Sequence, residues 1–300
     1  MEGRVIKTTG SWYEVKVGDK MIKARLRGKF KQDNLKLTNP IAVGDYVILD
    51  REKNQETAVI NTIVPRENYI IRKSTRKQHF SHILAANVDQ AYLMVTVRDP
   101  RTSLGFIDRF RIPCTLLVNK VETLTKKKDL DFLEELHDIY GPLGYPIIEL
   151  SALHDKDLME KFEPGLTGKT TLMAGHSGVG KSTLLNRLVP QATQATQEVS
   201  KFSSKGVHTT TFAEMFPFGE SGYFIDTPGI KEFGILDIDD QELSHYFVEL
   251  RKYLGQCKYN NCKHINEPGC KVLEVLEQGY IHPYRYENYL KIMSEEDSHR

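Results

Sequence analysis

The chain has 300 residues, 40% of them hydrophobic and 27% charged, which excludes wholesale disorder and leaves room for about two domains at ~150 residues each. Forty-one Lys or Arg against 40 Asp or Glu give a net charge of +1, so a uniformly basic coat is excluded while a local basic patch is not. No run of 18 apolar residues and no N-terminal signal-type apolar stretch are seen, so no membrane association is expected. Four Cys are too few for a disulfide scaffold and fit a reducing, cytoplasmic setting.

Charge is unevenly spread. Residues 1–73 carry fifteen Lys or Arg and nine Asp or Glu, and seven of the cations lie between Lys20 and Lys36. Such a module on an otherwise acidic chain suggests an anionic polymer, with Lys23, Arg25, Arg27, Lys29 and Lys31 as candidate RNA contacts. A solvated strand face is the plainer reading. Here Gly3–Thr8, Trp12–Val17, Lys20–Arg27, Tyr46–Asp50 and Thr57–Ile63 read as strands, with Val17-Gly18-Asp19-Lys20 as a hairpin signal. Five short strands predict a small β-barrel of the OB type or another small barrel. Residues 66–84, with Arg66, Arg72, Lys73, Arg76 and Lys77, read as a basic linker.

From residue 85 the pattern changes. Asp89–Val97 and Thr115–Asn119 are near-continuous apolar runs, as in buried parallel strands. Leu130–Tyr140 has helical periodicity, Pro146–Leu150 and Thr170–Ala174 read as strands, a helix opens near Lys181, and Tyr223–Ile225 is a further strand. The alternation predicts an α/β domain with a mostly parallel sheet. From Asp239 the chain reads helical around a Cys/His cluster. Cys114 reads as a buried apolar residue. Tyr280–Lys291, with Arg285, reads as a packed amphipathic helix rather than an RNA clamp. The expected division is a barrel over 1–67, an α/β domain over 68–236 and a helical metal-binding domain over 237–300.

Gly175, His176, Ser177, Gly178, Val179, Gly180, Lys181 and Ser182, followed by Thr183, satisfy G-x-x-x-x-G-K-[ST] between a strand and a helix. Glycines there let backbone N–H groups converge on phosphate oxygens, Lys181 adds charge at the β/γ-phosphates, and Ser182 offers a hydroxyl to Mg²⁺. Asp226-Thr227-Pro228-Gly229 closes the next strand, placing a carboxylate for Mg²⁺ through water and a Gly229 N–H for a γ-phosphate. Between them Gly206–Thr211 contains three threonines, as a switch segment does, or a Thr-rich strand start. Thr210 is the candidate Mg²⁺ ligand, with the choice among Thr209, Thr210 and Thr211 open. Asn119-Lys120-Val121-Glu122 occupies the place of a guanine reader, with Glu122 where Asp is usual, and Ser151-Ala152 matches the element that supports the base. In a Ras-like GTPase the phosphate loop comes first, whereas here Asn119 and Ser151 precede Gly175. A parallel sheet tolerates such rotation of the chain order.

Cys257-x4-Cys262-x-His264-x5-Cys270 offers three thiolates and an imidazole, a closed structural set for one Zn²⁺. Together these features resemble the RsgA/YjeQ family of circularly permuted, ribosome small-subunit-dependent GTPases, over essentially the whole chain. The resemblance implies GTP/GDP, Mg²⁺ and Zn²⁺ as cofactors. It also implies a role in late maturation of the 30S ribosomal subunit, hydrolysis stimulated by that subunit, and a barrel and zinc domain that grip 30S and its 16S rRNA. Residue 230 is Ile, which cannot orient water; His208 is the candidate catalytic group, supported by the resemblance, against the plain reading of a surface His. The residues alone leave open an ATPase with accessory RNA-binding modules, or an RNA-binding protein using nucleotide as a structural ligand. A monomer is the default. Seventeen residues from Arg98 to Cys114 separate two parallel strands, where the resemblance implies a longer helix. A gap closed over between Phe110 and Arg111 is expected, a shortened helix being the other reading.

Overall fold

The computed structural model describes residues 1–27, 40–52, 56–73, 81–110, 114–189, 213–226 and 242–297. The N-terminal strands are β1 (Glu2–Thr9), β2 (Trp12–Val17), β3 (Lys20–Leu26), β4 (Tyr46–Arg51) and β5 (Ala58–Ile63). β1 pairs with both β2 and β4, β3 runs parallel to β5, and β4 is antiparallel to β5, so the five close into a barrel. Period-2 alternation fills it: Tyr13 and Val15 of β2 and Ile22 and Ala24 of β3 point inward with Val5, Val47, Leu49 and Ile60, while Glu14, Lys23 and Arg25 face out.

Residues 66–84 are not a linker. β6 (Tyr69–Lys73) and β7 (Ser81–Ala86) form a two-stranded antiparallel sheet. Arg66, read as part of a basic tether, instead makes a two-bond ion pair with the buried Asp45 (2.6 and 2.7 Å) and donates to the Pro40 carbonyl. Asp45 in turn accepts from the Ala42 N–H, so Arg66 closes the barrel's floor.

The remaining strands are β8 (Gln90–Thr96), β9 (Cys114–Asn119), β10 (Ile147–Leu150), β11 (Thr170–Ala174), β12 (Glu214–Phe218) and β13 (Gly222–Asp226). The order β10-β9-β8-β11-β13 is parallel throughout and β12 closes it antiparallel. Helices α1 (Leu104–Arg109), α2 (Lys127–Tyr140), α3 (Leu158–Leu166) and α4 (Lys181–Leu188) cover it. Phe106, Leu136 and Ile139 pack in one core layer, and Leu158, Phe162, Leu184 and Leu185 in the other. Cys114 is buried, and burial pushes its thiol up to about 12. Among the described residues the crossover between β8 and β9 holds the six-residue α1, capped by the Ser103 hydroxyl on the Phe106 N–H. The Phe110–Arg111 junction lies outside the described residues.

β12, unread in the sequence, joins the barrel to this sheet through β1, at Lys7 opposite Glu214, making one continuous eleven-stranded sheet. Arg4 bolts the same seam: its guanidinium donates to the Thr170 hydroxyl (2.7 Å) and the Asn87 carbonyl and lies over the rings of Tyr46 and Tyr223. The C-terminal part comprises α5 (Leu243–Tyr246), α6 (Val248–Arg251), α7 (Lys271–Glu277) and α8 (Pro283–Asp297), with Phe247, Leu250, Val272, Tyr289 and Ile292 in its core. Within residues 280–291 one face packs, as the sequence suggests: Ile281, Arg285, Asn288 and Tyr289 are buried while Tyr280 stays exposed, so Arg285 is not presented to RNA. Among the described residues no helix is long and apolar enough to cross a membrane.

Arg4→Ala removes two hydrogen bonds and two ring contacts, and is expected to cost about 1–3 kcal/mol in urea unfolding. Lys7→Ala, which opens a partly exposed ion pair, is expected to cost less than about 1 kcal/mol.

Candidate functional site

All C-terminal ends of a parallel sheet's strands lie along one edge, where loops and helix N-termini gather donors for ligands. That edge here collects Asn119 at the end of β9, Ser151 just beyond β10, Gly175 just beyond β11 and Asp226 at the end of β13. Asn119 is buried and tied on both sides. Its Nδ2 donates to the Val179 carbonyl inside the glycine-rich loop (2.7 Å), and its Oδ1 accepts from the Ala152 N–H (2.8 Å). One amide therefore locks together segments 33 and 60 residues away in sequence. The same contact explains Gly180. With φ +107°, a Cβ there would lie 2.2 Å from Asn119 Nδ2.

The loop runs from β11 into the N-terminus of α4, with Val179 buried, Ser177, Gly178, Ser182 and Thr183 exposed, and His176 half-buried. N–H groups at this terminus have no helical acceptor and present partial positive charge. Lys181 Nζ donates to the carbonyls of Gly175 and His176 (2.7 Å each). Burial lowers the Lys181 pKa, which the Asp226 carboxylate opposes. Burial, and then Lys181, lowers that of His176, whose ring stacks on Phe106 with centroids 3.8 Å apart.

On the base side Lys120 adopts φ +65°, and its ammonium donates to the Asp99 carbonyl. Glu122 is exposed on the following turn. The Ser151 hydroxyl accepts from the His154 N–H, and the Ser151 N–H donates to Asp155. Arg187 of α4 reaches the Ala152 carbonyl at 3.0 Å and that of Asp155. Asp155, Arg187 and Asp99 were not marked by any motif. Asp155, four residues after Ser151, has the spacing of a loop cap, whereas Arg187 and Asp99 act from other segments. His208, Thr209–Thr211 and Gly229 lie outside the described residues.

Cys257, Cys262, His264 and Cys270 converge with all ligand atoms within 4.8 Å of one another. Cys257 and Cys270 Sγ are 3.9 Å apart, and His264 Nδ1 is 3.5 and 3.4 Å from them. A tetrahedron with Zn–S of about 2.3 Å requires sulfurs about 3.8 Å apart, so the donors fit such an ion. The supports are in place: Glu267 accepts from the N–H groups of Lys263, Ile265 and Asn266, the Lys271 N–H points at Cys257 Sγ, and Tyr286 and Tyr289 donate to the His264 and Lys263 carbonyls.

On the barrel, Lys23, Arg25 and Arg27 are exposed at alternate positions of β3 and just beyond it. Lys23 lies over the Trp12 ring, Arg25 pairs with Glu52, and Arg27 donates to Asn61. Lys29 and Lys31 lie outside the described residues.

A phosphate-type loop at the sheet's central strand, tied by an asparagine to base-side elements that come earlier in the chain, defines a P-loop GTPase of permuted order. Residues 63–236 match the model of the RsgA GTPase family and residues 2–60 that of the RsgA N-terminal domain. The small ribosomal subunit biogenesis GTPase RsgA of Cytophaga hutchinsonii is 48% identical over 309 aligned positions, covering 100% of both chains. That of Bacteroides fragilis is 46% identical over 307, covering 99% of this chain and 97% of the relative. Among solved structures, YjeQ from Thermotoga maritima has a TM-score of 0.74 at 35% identity, covering 98% of this chain and 97% of its own. YloQ, a circularly permuted GTPase, has a TM-score of 0.74 at 28%, covering 100% and 96%. The chain belongs to the RsgA GTPase family.

Asn119→Ala orphans the Val179 carbonyl and the Ala152 N–H, at about 1–3 kcal/mol for each buried group. GDP affinity is expected to fall about 10- to 100-fold in a fluorescence titration. Cys262→Ser is expected to release the metal and unfold the C-terminal helices, read by metal content and by proteolysis between Gln256 and Glu277.

Proposed function

We propose that this chain hydrolyses GTP in the biogenesis of the small ribosomal subunit, docking on the 30S particle in late maturation and turning over faster when docked. What supports the reading most is the Asn119 amide, which unites the phosphate loop and the Ser151–Ala152 loop at one sheet edge. In this reading the backbone of Gly175–Thr183 and Lys181 take the phosphates. Ser182, Thr210 and, through water, Asp226 hold Mg²⁺, and Gly229 reports the γ-phosphate. Asn119, Lys120, Glu122, Ser151 and Ala152 receive the guanine. Glu122 keeps the carboxylate that a guanine's ring N–H and amine require, one methylene further out than the usual Asp.

Bound Mg²⁺ would offset the charge that develops on the phosphates. This chain's own part is to hold the nucleotide rigidly and to supply a group that handles the attacking water. With Ile at 230, that group is His208, able to accept a proton near neutral pH. One Zn²⁺ in the Cys257–Cys270 cluster is structural, since four protein donors leave no open position. Lys23, Arg25 and Arg27, with Lys29 and Lys31, meet 16S rRNA phosphates, and the Trp12 ring beside Lys23 offers a stacking surface. The chain works as a cytoplasmic monomer divided into a barrel over 1–67, the GTPase domain over 68–236 and the zinc domain over 237–300.

The test is GTP turnover with and without purified 30S subunits at fixed Mg²⁺. The expected result is slow hydrolysis alone and acceleration of about 100-fold or more with subunits, as for GTPases completed in trans. His208→Ala is expected to keep GDP binding and lose the acceleration. Equal rates with and without subunits contradict the reading, and normal stimulation of His208→Ala contradicts the assignment of His208.

A further inference from the structure

The C-terminal module touches the nucleotide-binding domain through a buried polar knot. Arg285 of α8 is buried, and its Nε and Nη2 bond both oxygens of Glu249 on α6 (2.6 and 3.0 Å). Its Nη1 bonds Asp108 of α1, which also accepts from Asn288 of α8 and from the Tyr140 hydroxyl. The Arg285 guanidinium lies over the Phe247 ring, with the Tyr140 ring further off. Asp108 and Arg285 are 177 residues apart, and Asp108, Glu249, Arg285 and Asn288 are all buried. With every partner seated such a knot is rigid, and one missing partner leaves a charge in a dry place.

α1 carries this contact to the phosphate loop. Successive helical residues turn by about 100°, so Phe106 and Asp108 project about 200° apart, from opposite sides of a short helix. Asp108 holds α8. Phe106 stacks on His176, whose own carbonyl receives the Lys181 ammonium at 2.7 Å. The path from the Cys/His module to the phosphate-side lysine therefore runs from Arg285 to Asp108, through the α1 backbone to Phe106, and on to His176 and Lys181. It uses neither the 227–241 segment that leads from Asp226 into the module nor the barrel.

We propose that α1 is a strut that couples the seating of the C-terminal module to the phosphate loop, with Phe106 and Asp108 as positioning residues for nucleotide. The inference rests on reading Gly175–Ser182 as the phosphate site. Linkage makes the coupling reciprocal: nucleotide steadies α8, and a well-seated α8 tightens nucleotide. A partner that pulls on the C-terminal module would then change nucleotide affinity through α1.

Hydrogen–deuterium exchange on the full-length, zinc-replete chain, with and without GDP, tests this. In the unsubstituted chain GDP is expected to slow exchange in peptides covering residues 175–188 and, about threefold or more, in those covering 283–297. Phe106→Ala is expected to keep the first effect at saturating GDP, lose the second, and release GDP about 5-fold faster, the low end of ordinary couplings. Phe106→Leu serves if the Ala variant does not fold. Asp108→Asn, which cuts the strut from its other side, is expected to give the same pattern. The proposal is overturned if α8 is indifferent to GDP in the unsubstituted chain, or if its protection survives in the variants. Absence of protection at 175–188 in the unsubstituted chain would instead remove the phosphate site itself, and the proposal with it.

Discussion

The amide of Asn119 is the constraint on which the site depends. A side-chain amide has two N–H donors and an oxygen with two lone pairs, and here one N–H and one lone pair are committed to backbone atoms of two other loops. Because those atoms are buried, the bonds are made in a low-dielectric setting, and losing them costs far more than making them gains. The geometry is also unforgiving: Gly180 is glycine because no Cβ fits beside Asn119 Nδ2. The glycine-rich loop is thus braced by protein atoms alone, and its brace is the residue that leads the Asn119-Lys120-Val121-Glu122 motif.

That brace also explains why the rotated chain order costs nothing at the site. Parallel strands β10, β9, β8, β11 and β13 present their C-terminal ends along one edge whatever order the chain visits them. Rotation changes only what is attached at the ends. The barrel enters through β1 and β12, so its sheet is continuous with the hairpin that precedes Asp226. The C-terminal module leans on α1 through Arg285 and Asp108. Each accessory module consequently abuts a different part of the nucleotide-binding domain, one at the β12–β13 hairpin and the other at α1 and Tyr140 of α2.

Much of this was legible in the residues. The phosphate loop, the Asn119 and Ser151 elements and the Cys/His cluster are contiguous patterns whose chemistry needs those residue types at those spacings, and the buried strands announce themselves as apolar runs. Two expectations fail, each for its own local reason. Residues 66–84 read as a linker because of Arg66, Arg72 and Lys73, but Arg66 is a half-buried partner for the buried Asp45, and Ile70 pairs with Ala85 and Ile71 with Ile83 across two antiparallel strands. Local charge hid a tertiary ion pair. β12 does not read as a strand because Pro217 interrupts it; its bridge to β1 is at Glu214, so at Pro217 the strand runs as an edge, where a missing N–H is tolerated. The Asp108–Arg285–Glu249 knot had no local signal at all, since its members are far apart and each reads alone as an ordinary surface charge.

The most direct measurement is a crystal structure of the chain with GDP and Mg²⁺. The account predicts the phosphates against the N–H groups of Gly175–Ser182 and the purine between Lys120 and the Ser151–Leu153 loop, with Asn119 still bridging Val179 and Ala152. Phosphates in the loop with the purine turned away from Asn119, or the Asn119 bridge broken on binding, would contradict it.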